Sequence, residues 1–205
     1  MAPPQSRRPR SRRGRTIPGP IPGPEPLHVP FYHTGRGWRR FSQSVFPIMQ
    51  TVFPDGVARR SSLGQSRRRF LYWGKHGGGA WQDQTPIHTS VRRELSELLL
   101  TTPGLQYTFL ESHPYQERMI RLARKVRGVR CLGSVALELC EVAAGRADLF
   151  VTMRSSPWDH NAARIILEEA GGAIFTVAGD ELPMEQKSTV LALNAIDLKD
   201  RVLYV

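Results

Sequence analysis

The chain has 205 residues, 40% of them hydrophobic, and a formal net charge of +11 at pH 7. That length suits one domain, or a domain with an appended tail, and the apolar share is enough for a real core. No apolar run approaches ~18 residues, which argues against a membrane span, and the two cysteines, Cys131 and Cys140, lack metal-site spacing and read as reduced, buried thiols of a cytoplasmic protein.

The charge is unevenly spread. Residues 1–75 carry 15 Lys and Arg against two acids, Glu25 and Asp55, whereas residues 76–205 carry 14 basic and 16 acidic side chains. The excess positive charge therefore belongs to the front of the chain. Residues 1–44 do not read as a domain. "SRRPRSRRGR" (6–15) is an arginine run, and "PGPIPGPEP" (18–26) sets Pro at every second position, which forbids helix and sheet pairing. Disorder with polyproline character is expected here. The segment reads as a solvated tail, a phosphate-binding arm or a targeting segment, although its prolines oppose the amphipathic helix a transit peptide needs. With no aromatic interleaving and no DNA- or RNA-binding motif, nucleic acid is not the expected partner.

Residues 45–90 look more folded. The run Phe70–Trp73, the glycines 77–79 and then Ala80-Trp81 read as strand, turn, strand. The glycine cluster is not a P-loop, because no Gly-Lys-Ser/Thr follows it. "FPDG" (53–56) has the chemistry of a turn.

Residues 91–205 alternate between helix and strand. The pattern predicts helices over 91–100 and 115–126, and a buried helix over 131–145 that stops at Gly145. It predicts a strand over 147–152, then a helix with Asp159 at its N-cap, Gly171 as its stop and His160 at N1 facing solvent or a site mouth. Near-continuous apolar strands over 173–179 and 189–195 complete a sheet buried on both faces. Trp158 alone reads as a core aromatic. Asp159 alone reads either as a helix cap, where a carboxylate suits the positive end of the dipole, or as a metal ligand. The six His residues show no metal spacing.

"RCLGSVALELCEVAAGRADLFV" (130–151) followed by "PWDHNAARIILEEAGGAIFTVAGDELP" (157–183) resembles the C-terminal half of the inositol monophosphatase family. The matching residues are Gly133, Ser134, Ala136, Leu137, Ala143, Gly145, Arg146, Asp148, Trp158, Asp159, Ala162 and Glu169 to Gly172. The resemblance runs over about residues 45–205. It implies an α/β, layered sheet-helix sandwich, and Mg²⁺-dependent, lithium-sensitive hydrolysis of a small phosphomonoester such as inositol monophosphate. It implies Asp159 as a carboxylate ligand of the metal, and Gly133, Ser134 and Val135 as a helix opening against the substrate. Arg146 and Asp148 read as fold residues. The chemistry is coherent: hard Mg²⁺ takes carboxylate oxygens, neutralises the phosphate and activates water, and a helix N-terminus favours an anion.

The family's remaining ligands, a Glu-Glu pair on a helix and an Asp-Pro-x-Asp-Gly-Thr loop, have no counterpart. Before residue 94 the only acids are Glu25, Asp55 and Asp83. Asn161 and Ala163 replace a usual Ala and Gly, and Thr152 stands where many members carry a substrate-contacting acid. The catalytic residues are therefore unknown. The expected molecule is a family domain truncated at the front, with residues 1 to about 44 a frameshifted or misassigned start. It is either a phosphatase or a catalytically inactive member that binds a partner or ligand. A homodimer belongs to the resemblance, and exposed apolar faces predict poor solubility or obligate association.

Overall fold

The computed structural model describes residues 47–52, 60–65, 71–110 and 112–205, all within one compact unit. The expected tail, the "FPDG" turn and Phe70 lie outside the described residues.

Two five-stranded sheets frame the described residues. The first is an antiparallel meander of β1 (Pro47–Val52), β2 (Arg60–Gln65), β3 (Leu71–Lys75), β4 (Gly79–Gln82) and β5 (Thr85–Ile87) in chain order. The glycine cluster is the β3–β4 turn, closed by Gly78 N–H donating to the Lys75 carbonyl at 2.7 Å. Gly77 and Gly79 have φ of 68° and 78°, a region that only glycine enters freely. Tyr72 and Ala80 point inward, and Trp73 and Trp81 stack outward with centroids 5.4 Å apart and planes 6° apart.

The second sheet is mixed. It contains β6 (Leu99–Thr101), β7 (Gly128–Arg130), β8 (Leu149–Ser155), β9 (Ala173–Phe175) and β10 (Ser188–Leu193), ordered β7-β6-β8-β10-β9. β6 runs parallel to both neighbours, and β10 is antiparallel to β8 and β9. Helices α2 (Val135–Ala143) and α3 (Pro157–Glu169) lie between the sheets, and α1 (Gln116–Lys125) and α4 (Lys199–Leu203) cover the far face. Alternation with period two divides the strands between two cores. Phe150, Val190 and Ala192 meet α2 and α3, while Leu149, Val151, Leu191 and Leu193 meet α1 and α4. This is the layered α/β sandwich that the resemblance implies.

Several expectations are corrected. Residues 91–100 are not a helix: a 3₁₀ turn, Leu95–Glu97, leads directly into β6. Pairing with β7 and β8, and the donation of Leu99 N–H to the buried Asp148 carboxylate at 2.7 Å, outweigh helix propensity. The buried helix begins at Val135, not Cys131, because Gly133 has φ of 81° and the extended Ser134 caps the helix. The strand from Ala173 ends at Phe175, where a turn over 176–180 places Gly179 at φ of 95°. Cys131 is exposed, and only Cys140 is buried. Trp158 is 65% exposed rather than a core residue.

Arg146 and Asp148 do carry the fold. Asp148 is fully buried and receives hydrogen bonds from Ser90 Oγ, Arg92 Nη1 at 2.8 Å and Leu99 N–H. Arg146 ties Glu141 and the Tyr72 hydroxyl to Gln82, linking α2 to the first sheet. At the C-terminal end of α3, the Glu169 carboxylate accepts the N–H groups of Gly77 and Gly79 at 2.8 and 2.9 Å.

Candidate functional site

The parallel strands β6, β7 and β8 end on the same edge of their sheet, and the segments leaving them converge there. In open α/β sheets this carboxyl edge is where ligands bind. Here it forms a cleft of about 270 Å³ lined by Pro103 and Tyr107 after β6, Val135 after β7, and Arg154, Ser155, Ser156 and Asp159 around the end of β8, with Lys187 completing the rim. The N-termini of α2 and α3 thus open on one cleft.

Each terminus has its own local logic. Ser134 is the N-cap of α2, and its Oγ accepts Leu137 N–H at 3.4 Å. The first N–H groups, those of Val135 and Ala136, have no acceptor within the helix. In α3 the cap is Ser156, and Asp159 occupies N3, which corrects its expected place. Asp159 Oδ2 reaches back to accept Ser156 N–H at 3.1 Å, in a capping box with Pro157 at N1. Burial pushes the Asp159 carboxyl up, against the Ser156 N–H bond.

His160 is also corrected. It sits at N4, fully buried, with Nδ1 2.9 Å from the Ser155 hydroxyl. Burial lowers its pKa to about 4, so the ring is neutral near pH 7. Beside it, Asn161 Nδ2 donates to the Met184 carbonyl at 2.8 Å, and Arg164 Nη1 donates to the Leu182 carbonyl at 3.1 Å. These side chains hold the segment that carries Lys187 to the rim. Arg154 lies over the Tyr107 ring, 5.0 Å from its centroid. Thr152 is buried and exchanges hydrogen bonds with the backbone of Arg154.

Of the residues expected at the site, Val135 and Asp159 line the cleft, and Gly133 and Ser134 form the turn that aims α2 at it. Tyr107, Arg154, Ser155 and Lys187 were not anticipated. Their spacing in sequence carries no signal, because the sheet topology brings them together.

A model of the inositol monophosphatase family matches residues 55–203. The chain belongs to the inositol monophosphatase family. It is 32% identical over 153 residues to the inositol-1-monophosphatase of Bacillus subtilis, covering 74% of this chain and 57% of that protein. It is 29% identical over 149 residues to the Neisseria meningitidis serogroup B protein named "Putative Nus factor SuhB", covering 72% of this chain and 56% of that one. The inositol monophosphatase structure from Anabaena superimposes with a TM-score of 0.66 at 29% identity, over 77% of this chain and 62% of that chain. The chain thus spans about half the length of the curated relatives it matches.

Proposed function

We propose that this family member binds a small phosphorylated molecule in the cleft at the carboxyl ends of β6 to β8. Inositol monophosphate is the ligand that the relatives' names suggest. The observation that carries the reading is the opening of the α2 and α3 N-termini on a single cleft, since helix N-termini favour anions. Gly133, Ser134 and Val135 are the substrate-binding residues in this reading, and Arg154 and Lys187 supply positive charge at the rim.

The resemblance calls for Mg²⁺, and the described donors do not fit that ion by themselves. Mg²⁺ requires a near-octahedral shell of oxygens. Asp159 is the one carboxylate among the residues lining the cleft, and its Oδ2 already accepts an N–H. No group of three or more His, Cys, Asp or Glu among the described residues could hold a metal. Asp159 therefore offers a single metal ligand, and no hydrolytic step is assigned to the described residues. Among the described residues that shortfall supports a binding or regulatory member over a phosphatase, and the name of one relative, "Putative Nus factor SuhB", is in keeping with such a role.

Two assays on the full chain test this. Calorimetry with inositol monophosphate is expected to show binding, and phosphate-release assays with and without Mg²⁺ to show no turnover. Mg²⁺-dependent release that disappears in Asp159→Asn would replace this reading with the hydrolytic one, and the absence of both binding and release would refute the cleft.

A further inference from the structure

Glu138 is an acid inside the apolar run of α2, and it is fully buried. Its Oε1 accepts the N–H groups of Leu132 and Gly133 at 2.9 and 3.0 Å. Its Oε2 has no hydrogen-bond partner among the described residues. The groups facing the carboxyl are the loop N–H groups of Leu132, Gly133 and Ser134, the Thr101 hydroxyl from β6, and the Cys131 thiol, whose ionisation Glu138 opposes. Thr101 gives its own hydrogen to the Leu149 carbonyl at 3.2 Å. Among the described residues no Arg or Lys pairs with Glu138.

A buried carboxylate without a cation costs heavily when charged. Here its charge is placed in the same turn that aims α2 at the cleft. By taking the Leu132 and Gly133 hydrogens, Oε1 holds Gly133 in its left-handed conformation, so that Ser134 caps the helix and Val135 reaches the cleft. An anion bound at Val135 would bring a second negative charge to that helix end. A proton on Oε2 relieves the repulsion without breaking either loop bond, because Oε1 remains an acceptor.

We propose that Glu138 is the positioning residue of the cleft, and that it couples anion binding to the uptake of one solvent proton on Oε2. The inference rests on the cleft reading given above. The geometry agrees with the carboxyl's ionisation: burial pushes its pKa up to about 7, against the pull of the loop N–H groups.

The test uses sulfate, which does not titrate near neutrality, on the full chain. Calorimetry at pH 7 in two buffers of different ionisation heat should show fractional proton uptake on sulfate binding. Affinity should fall by about tenfold between roughly pH 6 and pH 8, the scale of removing one nearby unit charge in a partly buried site. Glu138→Gln keeps an acceptor for the loop and should bind sulfate at both pH values as tightly as wild type does at the lower one, with no proton uptake. Glu138→Ala should loosen the loop and weaken binding throughout. Sulfate binding without proton uptake in wild type, or an unchanged pH dependence in Glu138→Gln, overturns the proposal and leaves the cleft standing. No sulfate binding by wild type at either pH overturns the cleft as well. A separate NMR titration needs no anion: the Gly133 amide should inflect near neutral pH in wild type and not in Glu138→Gln, and its failure to inflect in wild type also overturns the proposal.

Discussion

Asp148 shows how one buried charge orders a region. Three donors, Ser90 and Arg92 from one loop and Leu99 from β6, end on its two oxygens, while Asn194 ties down the Ser90 and Arg92 carbonyls beside it. Asp148→Ala would leave those donors without an acceptor and should cost about 3 kcal/mol in urea unfolding; a loss within error of zero would show that water replaces the carboxylate. Gly172 is constrained differently. A Cβ there would lie 2.4 Å from Leu167 Cδ1 and 2.8 Å from the Leu193 carbonyl oxygen. Gly172→Ala should therefore destabilise by about 1–3 kcal/mol through overpacking, read from the shift in urea midpoint. At this scale the sequence was partly legible. The motifs located Asp148, Gly133 and Asp159, but not which atom each would bond. Asp159 was read as the cap because Asp is a preferred cap residue, whereas the chain places Ser156 there and uses Asp159 to close the box three residues later.

Among the elements, legibility followed locality. The β3–β4 hairpin, α1 and α3 were readable because turn chemistry and helical periodicity are short-range. Segment 91–100 was misread because its leucines satisfy a helical pattern, yet parallel pairing with two distant strands decides its state. The hairpin also depends on a long-range contact. Glu169 sits at the carboxyl end of α3, where the helix dipole disfavours an acid, and the two glycine N–H groups compensate for it. Glu169→Ala should detach the turn from the helix, costing about 2 kcal/mol. Hydrogen exchange should then speed up at Gly77 and Gly79 and stay unchanged in α1; slow exchange at both glycines in the variant would contradict this role.

For the whole molecule, two buried groups of opposite behaviour shape the response to pH. His160 drops from 6.5 to about 4 on folding, so the unfolded chain binds more protons in that window, and the stability present above pH 6.5 is lost as pH falls. Glu138 rises from 4.5 to about 7, so the folded chain binds more protons there, and the stability present below pH 4.5 is lost as pH rises through 7. Between about pH 4.5 and 6.5 the two slopes oppose each other, and stability should be nearly flat. Glu138→Gln should unmask a loss toward acid, measurable by urea titrations at several pH values; an equally flat profile in that variant would refute the compensation. The outward face of the first sheet, with Leu71 41% exposed beside partly open Trp73 and Trp81, predicts concentration-dependent association in sedimentation, and a monodisperse monomer would exclude it. No helix of the described residues is long and apolar enough to cross a membrane.

The stacked indoles of Trp73 and Trp81 give the first sheet an optical signature of its own. Nearly parallel stacked rings at 5.4 Å, one from each strand of the hairpin, place two strong transition dipoles close enough to couple. The folded hairpin should therefore show a split circular-dichroism band that either Trp→Phe change abolishes. Followed during unfolding, that couplet reports the loss of this sheet separately from the helical signal, and so reveals whether the two sheets of this sandwich melt together or in turn.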